Sequence, residues 1–200
     1  MTKVKICGLQ SPEDIAAVNR YRPDYAGFVF APSRRQITAE TARCFRQQLH
    51  PEIKAVGVFV NAHRLDIVKM VSAGIIDIIQ LHGDEDDAYR QELQHQVSCP
   101  VIQAVSVGEF IPSLLPEFAD FLLFDTFSDR QRGGTGHTFD WSVLKGIDRP
   151  FYLAGGLNPN NVEKAVALTS PYCVDTSSGV ETAGQKDPEK IRRFIEAVRR

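Results

Sequence analysis

The sequence contains few cysteines, and their spacing suggests neither a disulfide framework nor a metal site. The four are widely scattered, with no CxxC pair and no zinc-type His/Cys spacing: Cys7, Cys44, Cys99 and Cys173. Long apolar runs are also missing, and none approaches the roughly 20 residues needed to cross a bilayer. We therefore expect a cytoplasmic protein that has no membrane span, no disulfides and no bound metal.

An excess of basic charge is missing as well. The chain has 23 Lys and Arg residues against 25 Asp and Glu residues, giving a formal charge of −2. The two signs are interspersed and form no basic stripe that would neutralise nucleic-acid phosphates, so nucleic acid is not an expected partner. No composition shift or linker divides the chain, and we expect one domain over residues 1–200.

What the sequence does contain is a repeating alternation of strand-like and helix-like segments. Short apolar, β-branched runs are separated by helical patterns, which is typical of parallel strands covered by helices. We count eight runs: Val4 to Cys7, Tyr25 to Phe30, Ala55 to Val60, Ile75 to Leu81, Val101 to Val105, Phe121 to Asp125, Phe151 to Ala154 and Tyr172 to Asp175.

Helix starts are expected between these runs. Ser11 and Asp187 are each followed by proline and an acidic residue, while Thr38 and Asn61 are candidate N-caps for two further helices. The fifth unit differs, because Gly108, Pro112 and Pro116 interrupt it. We expect its helix to be short or missing.

Eight such units can form a closed (β/α)8 TIM barrel or an open doubly wound sheet. Small, polar or reactive residues follow nearly every strand run, whereas an open sheet would concentrate them at one switch point. In a barrel these strand ends meet at a single rim, where such enzymes place their active sites. The pattern therefore favours an α/β fold of the closed-barrel type.

Two glycine- and serine-rich segments follow the last two runs. Gly155 and Gly156 come after the seventh run, and Ser177, Ser178 and Gly179 come after the eighth. An isolated Gly-Gly pair most often makes only a tight turn. Two such loops after consecutive final strands instead indicate the usual phosphate site of a barrel, and no Walker-type lysine follows either loop.

Cys7 ends the first run and Asp125 ends the sixth, which would place both on the proposed active rim. A lone strand cysteine is commonly a small buried hydrophobe, and a strand-end aspartate is commonly a turn residue. Position on the rim weakens both structural interpretations without removing them.

Several further motifs occur in a fixed order along almost the whole chain, and together they resemble the phosphoribosylanthranilate isomerase family. The segments that carry the resemblance are Lys5-Ile6-Cys7-Gly8-Leu9, Gly27 to Phe30, Ser33-Arg34-Arg35, Val56 to Asn61, Gln80 to Gly83, Phe124-Asp125-Thr126, Gly133 to Gly136, Thr138 to Trp141, Ala154 to Leu157 and Val174 to Glu181.

The resemblance implies an isomerase of tryptophan biosynthesis that performs an Amadori rearrangement of N-(5′-phosphoribosyl)anthranilate to 1-(2-carboxyphenylamino)-1-deoxyribulose 5-phosphate. It implies Cys7 as general base, Asp125 as general acid and Arg35 as partner of the substrate carboxylate, although a one-residue loop difference would exchange Arg34 and Arg35. It also implies phosphate binding by Gly156, Ser177, Ser178 and their neighbours. The substrate's own iminium serves as electron sink, so no cofactor is expected.

Other residues of the rim are harder to assign. Asp175 could contact substrate or anchor its loop, and we favour substrate contact slightly. For His82 we prefer a structural role, because neither proton transfer needs a third group. Lys5 and Arg35 could supply positive potential that lowers the pKa of Cys7. The Gly133 to Gly136 stretch, preceded by Arg130 and Arg132, could close over substrate or be a plain surface loop.

Three alternatives compete with this interpretation. The first is the histidine-pathway isomerase, which performs the same rearrangement on a similar barrel. The resemblance to that family is weaker, because it has aspartate where this chain has Cys7. A Schiff-base aldolase needs a lysine at a strand end, whereas Lys54 and Lys145 lie at element beginnings. A non-catalytic barrel could bind a phosphorylated sugar without needing both Cys7 and Asp125. We expect a monomer that binds a small phosphorylated substrate.

Overall fold

A computed structural model of the chain describes residues 1–126 and 138–200. Its centre is a closed barrel of eight parallel strands in sequence order, β1 to β8. The strands are Lys3–Cys7, Tyr25–Val29, Lys54–Phe59, Ile78–Leu81, Val101–Val107, Phe121–Thr126, Phe151–Leu153 and Cys173–Thr176. The predicted (β/α)8 barrel is confirmed, with the strand ends shifted by a few residues from the predicted runs.

Helices cover the outside of the barrel in the described residues. They are α1 Pro12–Tyr21, α2 Ala39–Gln48, α3 Arg64–Ser72, α4 Asp87–Gln94, α5 Val162–Thr169 and α6 Pro188–Arg199. The predicted caps Ser11, Thr38 and Asp187 each accept a hydrogen bond from a first-turn backbone N–H. The prediction for Asn61 is wrong, because α3 begins after His63 and the Asn61 side chain instead accepts from the Asp84 N–H at 2.8 Å.

The fifth unit lacks its helix, as the sequence predicts. Residues 108–120 connect β5 to β6 without helical structure. Proline removes a backbone donor and clashes with the preceding turn, and Gly108 adds the conformational entropy of a residue without a side chain. The described part of the next unit, Trp141–Leu144, is only a short 3₁₀ helix.

Two apolar clusters divide the strand residues according to the alternation of side chains along a strand. On β6, Leu122 and Phe124 belong to the larger cluster that also contains the helices, and Leu123 belongs to the smaller one. The period of two identifies the smaller cluster as the inside of the barrel. It consists of Tyr25, Val56, Ile78, Ile102, Leu123, Tyr152, Ala154 and Cys173.

Aspartates close the amino end of the barrel. The residue directly before β2, β4 and β6 is an aspartate, and its carboxylate accepts a backbone N–H near the start of the preceding strand. Asp24 accepts from Val4 at 2.9 Å, Asp77 from Ala55 at 2.8 Å and Asp120 from Val101 at 2.7 Å. These bonds satisfy donors that the parallel ladder leaves open at the strand starts.

A small antiparallel hairpin follows β8 and was not predicted. Its strands are β9, Glu181–Thr182, and β10, Gln185–Lys186, and they lie between the phosphate-type loop and α6. Throughout the described ranges, no helix combines the length and apolar character required to span a bilayer.

Candidate active site

A cavity of about 440 Å³ opens at the carboxyl ends of the strands. Its lining includes the two reactive residues Cys7 and Asp125, so the structure brings together the ends of β1 and β6. It also includes every other residue that the sequence analysis assigned to the site, namely Arg35, Gly155, Gly156, Asp175, Ser177, Ser178 and Gly179. Cavities on this face are where TIM-barrel enzymes bind their substrates.

Cys7 is held at the cavity floor by the pairing of β1 with β2. It lies opposite Gly27 in the register, and a Cβ at that position would come within 2.7 Å of the Cys7 sulfur. Gly27 therefore leaves the space that the thiol occupies. Burial raises the pKa of the Cys7 thiol, and the positive charge of Lys5 opposes that increase.

Lys5 and Asp175 form an ion pair beneath the thiol. They are neighbours in the register of β1 and β8, and Lys5 Nζ lies 2.9 Å from Asp175 Oδ2. The Lys5 side chain has no exposure to solvent. Burial lowers the pKa of Lys5, but the charge of Asp175 outweighs burial and the net pKa is raised. The other oxygen of Asp175, Oδ1, is buried without a hydrogen-bond partner among the described residues.

Both carboxylate oxygens of Asp125 have a neighbour that fixes the orientation of the side chain. Oδ1 accepts from the Thr126 N–H at 2.8 Å, and Oδ2 lies 3.4 Å from His82 Nε2. Gln80 Nε2 in turn lies 2.9 Å from His82 Nδ1. Gln80 therefore contacts one ring nitrogen of His82, and the other ring nitrogen faces Asp125.

The two phosphate-type loops pack directly on each other. Thr176 Oγ1 donates to the Leu157 carbonyl at 2.7 Å, and a Cβ on Gly179 would overlap that same carbonyl oxygen. Gly155 and Gly156 have φ values of 86° and 64°, a conformation that glycine adopts without steric cost. Neighbouring backbone N–H groups in such loops form concave anion sites.

Three cations surround one carboxylate behind the cavity lining, and two of them, Arg34 and Arg35, belong to that lining. Glu181, at the start of β9, accepts from Arg34 at 2.7 Å, from Arg35 at 2.8 and 3.1 Å, and from Lys186 at 2.8 Å. Burial raises the pKa of Glu181, but Arg35 and Lys186 outweigh burial and lower it to about 2. Glu181 is therefore ionised at neutral pH.

Comparison with known families agrees with this arrangement of residues. A family model described as N-(5'phosphoribosyl)anthranilate (PRA) isomerase matches residues 4–197. The chain belongs to the PRA isomerase family.

Individual PRA isomerases are similar to this chain over nearly their full length. The N-(5'-phosphoribosyl)anthranilate isomerase of Endomicrobium trichonymphae is 49% identical over 199 residues, covering 100% of this chain and 99% of that relative. The crystal structure of the Thermus thermophilus enzyme superposes with a TM-score of 0.88 at 32% identity, covering 99% of this chain and 98% of that one.

One further solved structure carries a ligand. It is a PRA isomerase in complex with reduced 1-(o-carboxyphenylamino)-1-deoxyribulose 5-phosphate, with a TM-score of 0.82 and 34% identity, covering 100% of this chain and 99% of that one. That ligand combines a phosphate, a sugar chain and an aromatic carboxylate.

The PRA isomerase cavity and the residues that contact its lining include some to which the sequence analysis assigned little or no role. Glu181 and Lys186 were missed entirely, although the resemblance included Glu181 in its last segment. His82, expected to be structural, lies beside Asp125. The loop from Gly133 to Gly136, with Arg130 and Arg132, lies outside the described residues.

Proposed function

We propose that the chain catalyses the Amadori rearrangement of N-(5′-phosphoribosyl)anthranilate to 1-(2-carboxyphenylamino)-1-deoxyribulose 5-phosphate, a step of tryptophan biosynthesis. The observation that carries the proposal is one cavity that contains a thiol, a carboxyl group and two anion-binding loops, in a chain of the PRA isomerase family. The expected cytosolic location, single domain and monomeric state stay predictions.

Asp125 is the general acid of the proposed reaction. It protonates the furanose ring oxygen, so that the ring opens and a Schiff base forms at C1′. Its Oδ2 must face substrate with a fixed orientation, and the hydrogen bond of Thr126 to Oδ1 together with the nearby His82 Nε2 supports this. We assign to His82, itself held by Gln80, the role of orienting Asp125.

Cys7 is the general base. It removes the C2′ proton, and the electrons of that C–H bond move into the iminium to give an enolamine. Only the thiolate form of a cysteine can accept a proton, and burial disfavours that form. Lys5, beneath Cys7, supplies a positive charge that stabilises the thiolate. Lys5 does not compete as a Schiff-base lysine, because its ammonium is paired with Asp175 and held in its charged form.

Cys7 and Asp125 together account for every proton transfer in this scheme. Cys7 gains the proton from C2′, and Asp125 loses one to the ring oxygen. Return of the Cys7 proton to C1′ and transfer of the 2′-hydroxyl proton to Asp125 give the ketose and restore both residues. C2′ is oxidised to the carbonyl while C1′ is reduced to CH₂, so no external oxidant or reductant takes part.

The two ends of the substrate match the charges around the cavity. The loops containing Gly155, Gly156, Ser177, Ser178 and Gly179 offer backbone N–H and hydroxyl donors to the phosphate. Arg35 offers a guanidinium to the anthranilate carboxylate. The buried Asp175 Oδ1 is available to accept a hydrogen bond from a substrate hydroxyl or the anthranilate nitrogen.

Turnover of the purified chain tests the proposal. Mixed with N-(5′-phosphoribosyl)anthranilate, the chain should consume it, and the ketose product should accumulate in equal amount. The aminoaldose substrate of the histidine-pathway isomerase, offered in a parallel reaction, should be converted at least about 100-fold more slowly because it lacks the anthranilate carboxylate. Binding of the first substrate without conversion would instead establish a non-catalytic phosphosugar-binding barrel.

A further inference from the structure

Glu181 is a buried anion that contacts Arg35, the residue to which the proposed function assigns the anionic carboxylate of the substrate. Its side chain is 6% exposed, and its two carboxylate oxygens accept from Arg34, Arg35 and Lys186. A buried carboxylate surrounded in this way does not itself bind an anionic ligand. Its effect on a ligand must act through the cations that it holds.

The geometry of the Arg35 pair determines which part of that guanidinium remains for a ligand. Glu181 accepts from Nε at 2.8 Å and from Nη2 at 3.1 Å, which is the side-on edge of the guanidinium. The end-on edge, made by Nη1 and the second hydrogen of Nη2, is not used by Glu181. That edge presents two parallel N–H groups, the arrangement that binds a carboxylate through two hydrogen bonds.

The aliphatic part of Arg35 is fixed on its other side by Gly8. A Cβ on Gly8 would overlap Arg35 Cδ, and Gly8 has a φ of 77°. The Arg35 side chain is 13% exposed, whereas Arg34, which also contacts Glu181, is 52% exposed. Arg35 is therefore the arginine that is held in place, between Gly8, directly after β1, and the carboxylate of Glu181 on β9.

We propose that Glu181 is a positioning residue that orients the end-on edge of Arg35 toward the substrate's aromatic carboxylate, and that it thereby determines selectivity for carboxylate-bearing ligands. This inference rests on the proposed function, because it takes the anthranilate carboxylate as the group that Arg35 meets. It extends that function to a residue of the β9–β10 hairpin.

The same carboxylate connects this pair to the phosphate side of the cavity. Lys186, whose side chain is 2% exposed, donates to Glu181 and also to the Ser177 carbonyl at 3.0 Å. Ser177 Oγ donates to the Cys7 carbonyl at 2.9 Å. Three cations against one carboxylate leave two positive charges beside the cavity, which suits a ligand with an anionic group at each end.

Binding of two analogues to Glu181→Gln tests the inference. One is reduced 1-(2-carboxyphenylamino)-1-deoxyribulose 5-phosphate, and the other is the same molecule with phenyl in place of carboxyphenyl. Glutamine has the same shape as glutamate, but it carries no charge and has one acceptor oxygen in place of two. It therefore cannot accept both hydrogen bonds of Arg35 in the same way. Titration calorimetry should show the Kd for the carboxylate analogue rising about 10- to 100-fold, while the Kd for the phenyl analogue changes less than about threefold.

Three controls separate a positioning role from general damage. Glu52→Gln removes an exposed carboxylate paired with Arg22, and it should leave both Kd values unchanged. Arg35→Gln should lose the same preference for the carboxylate analogue, and the double variant Glu181→Gln/Arg35→Gln should be no worse than Arg35→Gln alone. In steady-state turnover, Glu181→Gln should raise KM more than it lowers kcat.

Equal weakening of both analogues by Glu181→Gln would overturn the inference, because Glu181 would then act on the phosphate loop or the scaffold. Additive losses in the double variant would overturn it as well. Both outcomes can occur while the wild-type chain still converts N-(5′-phosphoribosyl)anthranilate, so failure of the inference is distinguishable from failure of the proposed function.

Discussion

Lys5 shows how the function of a single side chain depends on its neighbours across the barrel. An ammonium with no solvent exposure is costly by itself, and the 2.9 Å pair with Asp175 offsets that cost. The same charge lies close enough to Cys7 to oppose the effect of burial on the thiol. One ion pair thus contributes both to the packing of the barrel interior and to the reactivity of the proposed base.

The reactivity of Cys7 should follow this charge balance in both directions. Burial raises the pKa of Cys7 above its ordinary value of 9.0, so alkylation by iodoacetamide should increase with pH beyond that value. Lys5→Met removes the charge that lowers the pKa, and the rate at pH 8 should fall roughly tenfold. Asp175→Asn removes a charge that raises the pKa, and the rate should increase.

Mass spectrometry of the Cys7 peptide measures these rates separately from those of the exposed Cys44. Circular dichroism checks that each variant is folded, because Lys5→Met leaves Asp175 buried without a partner. Changes in the same direction for both variants would show that disturbance of the cavity, not charge, sets the reactivity.

Residue identities in the site were largely predictable from the sequence, but their partners were not. Cys7 is the last residue of β1 and Asp125 the last but one of β6, and a position near the carboxyl end of a strand predicts the rim of a barrel. The pairing of Lys5 with Asp175 depends on the register between β1 and β8, which are separated by almost the whole chain. The approach of His82 to Asp125 depends on side-chain geometry on strands that are not neighbours in the barrel, and no local pattern encodes it.

The loops after β7 and β8 act as one element because they touch. Their contact is the hydrogen bond from Thr176 to the Leu157 carbonyl, and Gly179 allows the close approach because it has no Cβ. An added methyl group would push the two loops apart, and the donors of both loops would no longer converge on one anion.

Gly179→Ala should therefore weaken phosphate binding. We expect the inhibition constant of inorganic phosphate to rise about tenfold or more, with a fall in thermal stability, since overpacking of this kind commonly costs about 1–3 kcal/mol. Gly108→Ala is the matched control, because no atom lies within 4 Å of a Cβ at that position. Unchanged phosphate inhibition in Gly179→Ala would show that contact between the loops is not required for the anion site.

The elements that the sequence failed to predict are short or irregular. Strands β9 and β10 have two residues each, too few for the alternation of apolar and polar side chains to show. Their importance is their position, since they carry Glu181 to Arg35 and Lys186 to Ser177, and both of those partners line the cavity. The missing fifth helix, in contrast, was predictable, because proline and glycine act locally on the backbone.

At the scale of the whole molecule, the carboxyl end of the barrel contains the candidate active site, and the amino end contributes to stability. The carboxyl end contains the cavity and its ionisable groups. The amino end contains aspartates that accept an N–H group from the first or second residue of β1, β3 and β5. The overall barrel was predictable because eight similar units repeat the same strand and helix pattern, and the spread of reactive residues over nearly all strand ends favoured closure over an open sheet.

Substitutions at the amino end should change stability without changing catalysis. Asp120→Ala leaves the Val101 N–H without its acceptor, which should lower the free energy of unfolding by about 1 kcal/mol and the Tm by about 2–4 °C. Turnover should stay within about twofold of the wild type. Thermal unfolding and kcat/KM, measured on the same preparation, check this separation. A large loss of turnover in a folded Asp120→Ala variant would contradict it.

The most direct test of the account is the turnover of Cys7→Ser and Asp125→Asn on N-(5′-phosphoribosyl)anthranilate. Each should lose about 10²- to 10⁴-fold in kcat with a nearly unchanged Tm, as expected when a general base or acid is removed. Cys173→Ser, at a buried cysteine outside the cavity lining, and Asp120→Asn, at the amino end, are the matched controls and should retain turnover. Near-normal turnover by folded Cys7→Ser or Asp125→Asn would contradict the proposed acid–base pair.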